Sequence, residues 1–193
     1  MRKMLIFGSL IAIFMFLQNG FSAAVALPYQ KSIIVDLSVS PKLPFPGATL
    51  ETPLGVGTAK LERRTDGNLY VDGHKIILYL SEHQQNGKDI QGSELRKELS
   101  LAGQAGNPVL NANILDVLLA NLHLIPENWK KDEHGNTRCI FFWGTIYRDP
   151  DGPLCVRFLF FYDGVWYWDY GWIVSYWAGQ HPAAVLASEV FGR

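Results

Sequence analysis

Residues 137–174 read TRCIFFWGTIYRDPDGPLCVRFLFFYDGVWYWDYGWIV, and the fold follows from this stretch. Two turn signals cut it, Asp149-Pro150-Asp151-Gly152 and Asp163-Gly164. The segments between them, 137–148, 154–162 and 165–174, predict three strands in an antiparallel meander. Of the 25 aromatic residues in the chain, 15 fall between Arg138 and Ala178, so the meander is an aromatic sheet. Centring the first turn between Pro150 and Asp151 sets Ile146 opposite Cys155. The Asp163-Gly164 turn sets Cys155 opposite Trp172. Opposed residues share a side. One side then carries Ile140-Phe161-Trp166, Phe142-Leu159-Trp168, Gly144-Arg157-Tyr170 and Ile146-Cys155-Trp172. The other carries Cys139-Tyr162-Val165, Phe141-Phe160-Tyr167, Trp143-Phe158-Asp169 and Thr145-Val156-Gly171.

Neither side is polar, whereas a solvated antiparallel sheet alternates apolar and polar. Such a sheet is covered on both faces, or it offers one face to a partner or ligand. Trp166, Trp168, Tyr170 and Trp172 form an unbroken stripe. A flat aromatic ladder stacks on sugar rings, on peptides or on other aromatic surfaces, and it equally serves as core. Arg157 sits in the middle of that side. Gly144 opposite leaves room for its guanidinium and Tyr170 offers a cation–π face; the alternative is an Arg that snorkels to the sheet edge. These five residues are the candidate ligand-binding set. Asp169 faces the other side, beside Phe158 and Trp143.

The string IFFWGTIYRDPDGPLCVRFLFFYDG (140–164), followed by VWYWDYGW (165–172), resembles the core of a family of small uncharacterised bacterial proteins. The resemblance runs from about Tyr70 to Ser188 and takes in SEHQQNGKDI (81–90) and LNANILDVLLAN (110–121). It implies a bacterial protein and brings no activity, cofactor or site residue with it.

Outward from the meander, Leu69–Val71, Asp72-Gly73 and His74–Leu80 read as a hairpin on a two-residue turn. Ser93 is placed to cap a short helix with Leu95 and Leu99 on one side. Asn111–Leu122 predicts the best helix, with Ile114, Leu115, Leu118 and Leu122 as its apolar stripe and Asp116 and Asn121 outside it. Pro126 prevents its continuation. Ser32–Ser40 alternates, predicting a strand with Ile33, Val35, Leu37 and Val39 on its inner face. The Pro- and Gly-rich stretch after it is a linker or long loop. Pro182–Val190 reads as a short helix with Pro at its first position.

The N-terminus supplies an address. Arg2 and Lys3 precede the apolar run LIFGSLIAIFMFL (5–17), and Ala24 and Ala26 form an A-x-A site. This is the pattern of a secretory signal peptide over residues 1–26, with an uncleaved membrane anchor as the rival. Cleavage after Ala26 removes two basic residues and takes the formal charge from −1 to −3. The expected organisation is a leader over 1–26, a strand plus linker over 27–68 and an α+β domain over 69–193. The destination is the periplasm or the medium.

At 193 residues, 48% hydrophobic and 18% charged, the chain has apolar surface enough for one ordered domain. The basic residues are scattered and the 111–122 helix has no Lys or Arg, which argues against nucleic acid. No G-x-S-x-G, H-E-x-x-H or Gly-rich phosphate loop is present. His74, Glu82, His83, His123 and His134 have no recognisable metal-ligand spacing, and no cofactor is expected. Cys139 and Cys155 sit mid-strand among aromatics on opposite sides, which predicts two free, buried thiols. The reading is therefore an α+β fold: an antiparallel aromatic-rich sheet with two or three short helices. The function expected is a non-catalytic binding module of the bacterial cell envelope, with an envelope glycan or protein as partner. It meets the membrane only through an uncleaved leader. The alternatives are a small hydrolase of an envelope polymer, using Asp169 and a histidine, and a purely structural domain.

Overall fold

The computed structural model describes residues 32–104, 106 and 108–188. The expected leader over 1–26 lies outside the described residues. The fold is α+β and sheet-dominated. Its elements are β1 (Ser32–Asp36), β2 (Thr49–Leu50), β3 (Thr58–Arg63), β4 (Leu69–Val71), β5 (His74–Tyr79), α1 (Glu82–Gln85), β6 (Ile90–Gln91), α2 (Gly92–Gln104), α3 (Ala112–Ala120), β7 (Cys139–Arg148), β8 (Leu154–Tyr162), β9 (Val165–Trp172), β10 (Tyr176–Trp177) and β11 (Ala183–Leu186).

Nine strands form one sheet in the order β1-β3-β4-β5-β11-β7-β8-β9, with β2 added on β7. Asp72 and Asp163 both have positive φ, 49° and 46°, and each is followed by a glycine at φ 87° or 80°. That is the backbone a two-residue hairpin turn demands. The β4–β5 and β8–β9 hairpins form on these two turns. The β8–β9 register is the expected one, with Cys155 opposite Trp172 and Tyr162 opposite Val165.

The β7–β8 register differs from the expectation. Next to the turn Tyr147, not Ile146, opposes Cys155; farther along, Ile140 opposes Leu159 and not Phe161. A bulge between Phe141 and Ile146 separates the two registers. Its cause lies on the far side of β7. The strand's first part bonds to the 180–182 backbone, with Cys139 N–H to Gln180 O and Phe141 N–H to Pro182 O. Gly144 N–H then donates to Leu110 O at 2.9 Å, and the last part pairs with β2. Three different segments flank one strand, and β7 kinks to serve each. A Cβ on Gly144 would stand 2.8 Å from Leu110 C and O, so this approach requires glycine.

Pro182–Val190 contains a strand rather than the expected helix. Ala183–Leu186 forms β11, antiparallel to β5 and parallel to β7 through Ala183 and Phe141. Ala183, Ala184 and Val185 are all buried. A central strand covered on both faces reads as a continuous apolar run, which periodicity does not separate from a buried helix.

Both faces of the sheet are packed. On one, Ile114, Leu115 and Leu118 of α3 meet Ile140, Phe142 and Leu159. On the other, Leu95 and Leu99 of α2 meet Phe141, Trp143, Val156 and Trp177. Ser93 lies inside α2, where its hydroxyl donates to Gln91 Oε1, and is not the cap. The capping box is formed earlier, by Ser81 and Gln84 at α1. Leu122 is exposed and falls outside the stripe of α3, because the chain turns into a 3-10 segment there. Val39 is likewise exposed, beyond the end of β1. The Pro/Gly-rich stretch after β1 is a long loop laid on the sheet, with Pro41, Pro44 and Ala48 buried.

Candidate binding surface

The Trp stripe stands on the α3 side of β9. Trp166, Trp168, Tyr170 and Trp172 are each half-buried. Trp166 and Trp168 pack on the core around Leu159 and Phe142. Phe45, on the loop after β1, covers the other end, 5.0 Å from the Tyr170 ring and 5.9 Å from that of Trp172.

Arg157 has none of its surface exposed, so it does not snorkel. Its guanidinium stacks 4.2 Å from the ring centre of Trp168, not Tyr170. Nη2 donates to Asp116 Oδ1 at 2.9 Å and Nη1 to Lys42 O at 3.0 Å. The Lys42 peptide is the hub of this network: its N–H donates to Asp116 Oδ2 and its carbonyl also accepts from the Tyr147 hydroxyl. A buried guanidinium needs such partners to offset its desolvation. They arrive from α3 and from a loop far away in sequence. Burial pushes the Tyr147 hydroxyl up to about 12.

The opposite face of β8–β9 is more open. Val165 and Tyr167 are 47% and 43% exposed, Tyr162 is 67% exposed, and Asp169 is exposed beside them. Aromatic rings make a continuous row across this face. Phe141 lies 4.6 Å from Phe158, Phe158 5.5 Å from Phe160, and Phe160 stacks on Tyr167 at 5.7 Å with planes 28° apart. The row starts in the core under Trp177 and ends at the surface. It rests on well-packed residues, so its outer rings are held without a ligand. Sequence reasoning placed these residues on one side but gave them second rank, because burial by α2 stops short of them only in three dimensions.

Cys139 borders this face and is half-buried rather than buried; Cys155 is buried on the α3 side, and both are free. Burial pushes the thiols up, to about 11 and about 12, with Asp169 adding to the effect on Cys139. Thiols held protonated in this way are poor nucleophiles.

Among the described residues no group of three or more His, Cys, Asp and Glu is placed to hold a metal ion. His74, Glu82, His83 and His134 are exposed. His181 accepts the Ala178 N–H at Nδ1, and burial lowers its pKa. A polar cleft of about 580 Å³ lies between α1 and the 132–138 turn, lined by Asp89, Asp132, Glu133, His134 and Arg138 among others. Asp169 is not among its lining residues. No helix among the described residues is long and apolar enough to cross a membrane. In comparisons with family models, curated proteins and solved structures, none matches this chain.

Proposed function

We propose that the protein is an exported, non-catalytic binding module of the bacterial cell envelope that takes a glycan on the row Phe158–Phe160–Tyr167. The supporting observation is the half-open aromatic row itself. A large ring exposed beside a second ring and a carboxylate suits a pyranose: its C–H face stacks on the aromatics and its hydroxyls donate to Asp169. The Trp166–Trp172 stripe contributes less to this reading, since Arg157, Phe45 and α3 already occupy its inner side. The hydrolase alternative needs an acid and a base in one cleft, and Asp169 stands on an open face.

Sedimentation of the intact chain with insoluble peptidoglycan tests the reading, with soluble oligosaccharide as competitor. Tyr167→Ala should weaken retention about tenfold while the melting temperature holds. Equal retention of the variant, or none by the native chain, overturns the proposal. Bond cleavage in the retained polymer would instead favour the hydrolase. Export rests on residues 1–26 and has its own test: intact mass of the exported protein should place its first residue at Leu27, within a few positions.

A further inference from the structure

Among the described residues β9 ends the sheet, with β8 as its one neighbour. Tyr162 and Val165 close the hairpin, and Ile173 N–H donates to Leu154 O at 2.8 Å. The odd-numbered residues therefore aim their N–H and C=O groups at β8, and those of Trp166, Trp168 and Tyr170 point away from the sheet. Soluble proteins blunt such edges with Lys, Pro, a bulge or a very short strand. VWYWDYGW has no Lys or Pro, and its eight residues pair with β8 without a shift. Its one guard is Asp169, whose Oδ1 accepts the Tyr170 N–H at 2.8 Å.

We infer that this edge is a dimer interface, in which β9 pairs antiparallel with β9 of a second copy about a two-fold axis at Trp168. The partner that β9 offers Asp169 decides both the occupant and the register. A two-fold at Trp168 sets Trp168 against its own copy, Trp166 against Tyr170, and Tyr167 against Asp169, twice over. Both carboxylates then face a phenolic donor. Moving the axis to Asp169 opposes the two carboxylates, and moving it to Tyr167 sets each carboxylate against Val165. An arbitrary peptide must happen to carry a donor opposite Asp169; a second copy carries one at both positions once the axis stands at Trp168. On pairing, Asp169 exchanges the Tyr170 N–H for the hydroxyl of the second copy's Tyr167, and the freed N–H bonds the carbonyl of the second copy's Trp166. A single strand edge is a small contact beside the roughly 1,200 Å² at which standard interfaces begin, and the dimer is expected to be weak, with Kd on the order of 10–100 µM. This inference does not depend on glycan binding.

Sedimentation velocity of the intact chain from about 1 to about 500 µM reads the equilibrium directly. The native chain should shift from monomer to dimer across that range. Tyr167→Asp opposes two carboxylates twice and should raise Kd about tenfold or more. The double variant Tyr167→Asp, Asp169→Lys restores an attractive pair at both positions and should return Kd to within about threefold of the native value. Tyr167→Phe, which keeps the ring and removes only the donor, should raise Kd several-fold and serves should the charged variant misfold. A native chain that stays monomeric at the highest concentration overturns the inference. So does a dimer indifferent to both Tyr167 changes.

Discussion

Arg157 Nη2 donates to Asp116 Oδ1 at 2.9 Å, from a guanidinium with no exposed surface to a carboxylate side chain only 17% exposed. The bond joins the middle of β8 to α3, and the Lys42 peptide closes it from above. Removing one member of such a pair leaves the other charge stranded in the interior. Asp116→Ala should therefore cost about 3–5 kcal/mol. Replacing both, Arg157→Met with Asp116→Leu, should cost much less than the two single changes added together. Urea unfolding of the three variants measures this. A loss under about 0.5 kcal/mol for Asp116→Ala would refute the structural role of the pair.

Adjacent residues on β9 should behave in opposite ways. Trp168 stacks on Arg157 and packs against the core, so Trp168→Ala should destabilise the protein by about 3 kcal/mol. Tyr167 is 43% exposed on the other face, and Tyr167→Ala should change stability by well under 1 kcal/mol. Denaturant melts of both variants distinguish the faces. A stable Trp168→Ala that loses ligand binding would move the binding surface to the Trp stripe.

How much of this was legible in the sequence depends on how locally each feature is determined. Asp72-Gly73 and Asp163-Gly164 announce their hairpins because the turn backbone itself requires positive φ. The stripe of α3 is visible because helical spacing is local. The β7 bulge is not, since its causes are Leu110, far upstream, and Thr52, whose hydroxyl accepts the Ile146 N–H. Without it, Tyr147 and Ile146 are assigned to the wrong faces. Arg157 shows the same limit: its partners lie 41 and 115 positions away, and no pattern around residue 157 reports them. The aromatic face was legible as a side of the sheet. Which of its rings remain open depended on where α2 comes to rest.

In an oxidising compartment two cysteines invite a disulfide, but the register keeps Cys139 and Cys155 apart. Cys155 opposes Tyr147, while Cys139 lies eight residues back along β7, opposite Phe160. Even with the bulge that is about 20 Å or more, against the roughly 7 Å between Cα atoms that a disulfide tolerates. The side chains also belong to opposite faces. Both thiols should label in denaturant without reduction; in the native protein labelling should be slow, and faster at half-buried Cys139 than at Cys155. Alkaline pH should then destabilise the fold. In the unfolded chain both thiols ionise near the ordinary value of 9.0, whereas in the folded one they do so only near about 11 and about 12. Between those limits the unfolded state has released protons that the folded state retains. Stability is therefore full below pH 9 and falls as pH rises toward 11 and beyond. Urea midpoints taken from about pH 8 to about pH 11 should decline, and Cys139→Ser should flatten the decline. Absence of free thiols in denatured, unreduced, monomeric protein would refute the pairing of β7 with β8 along with the prediction.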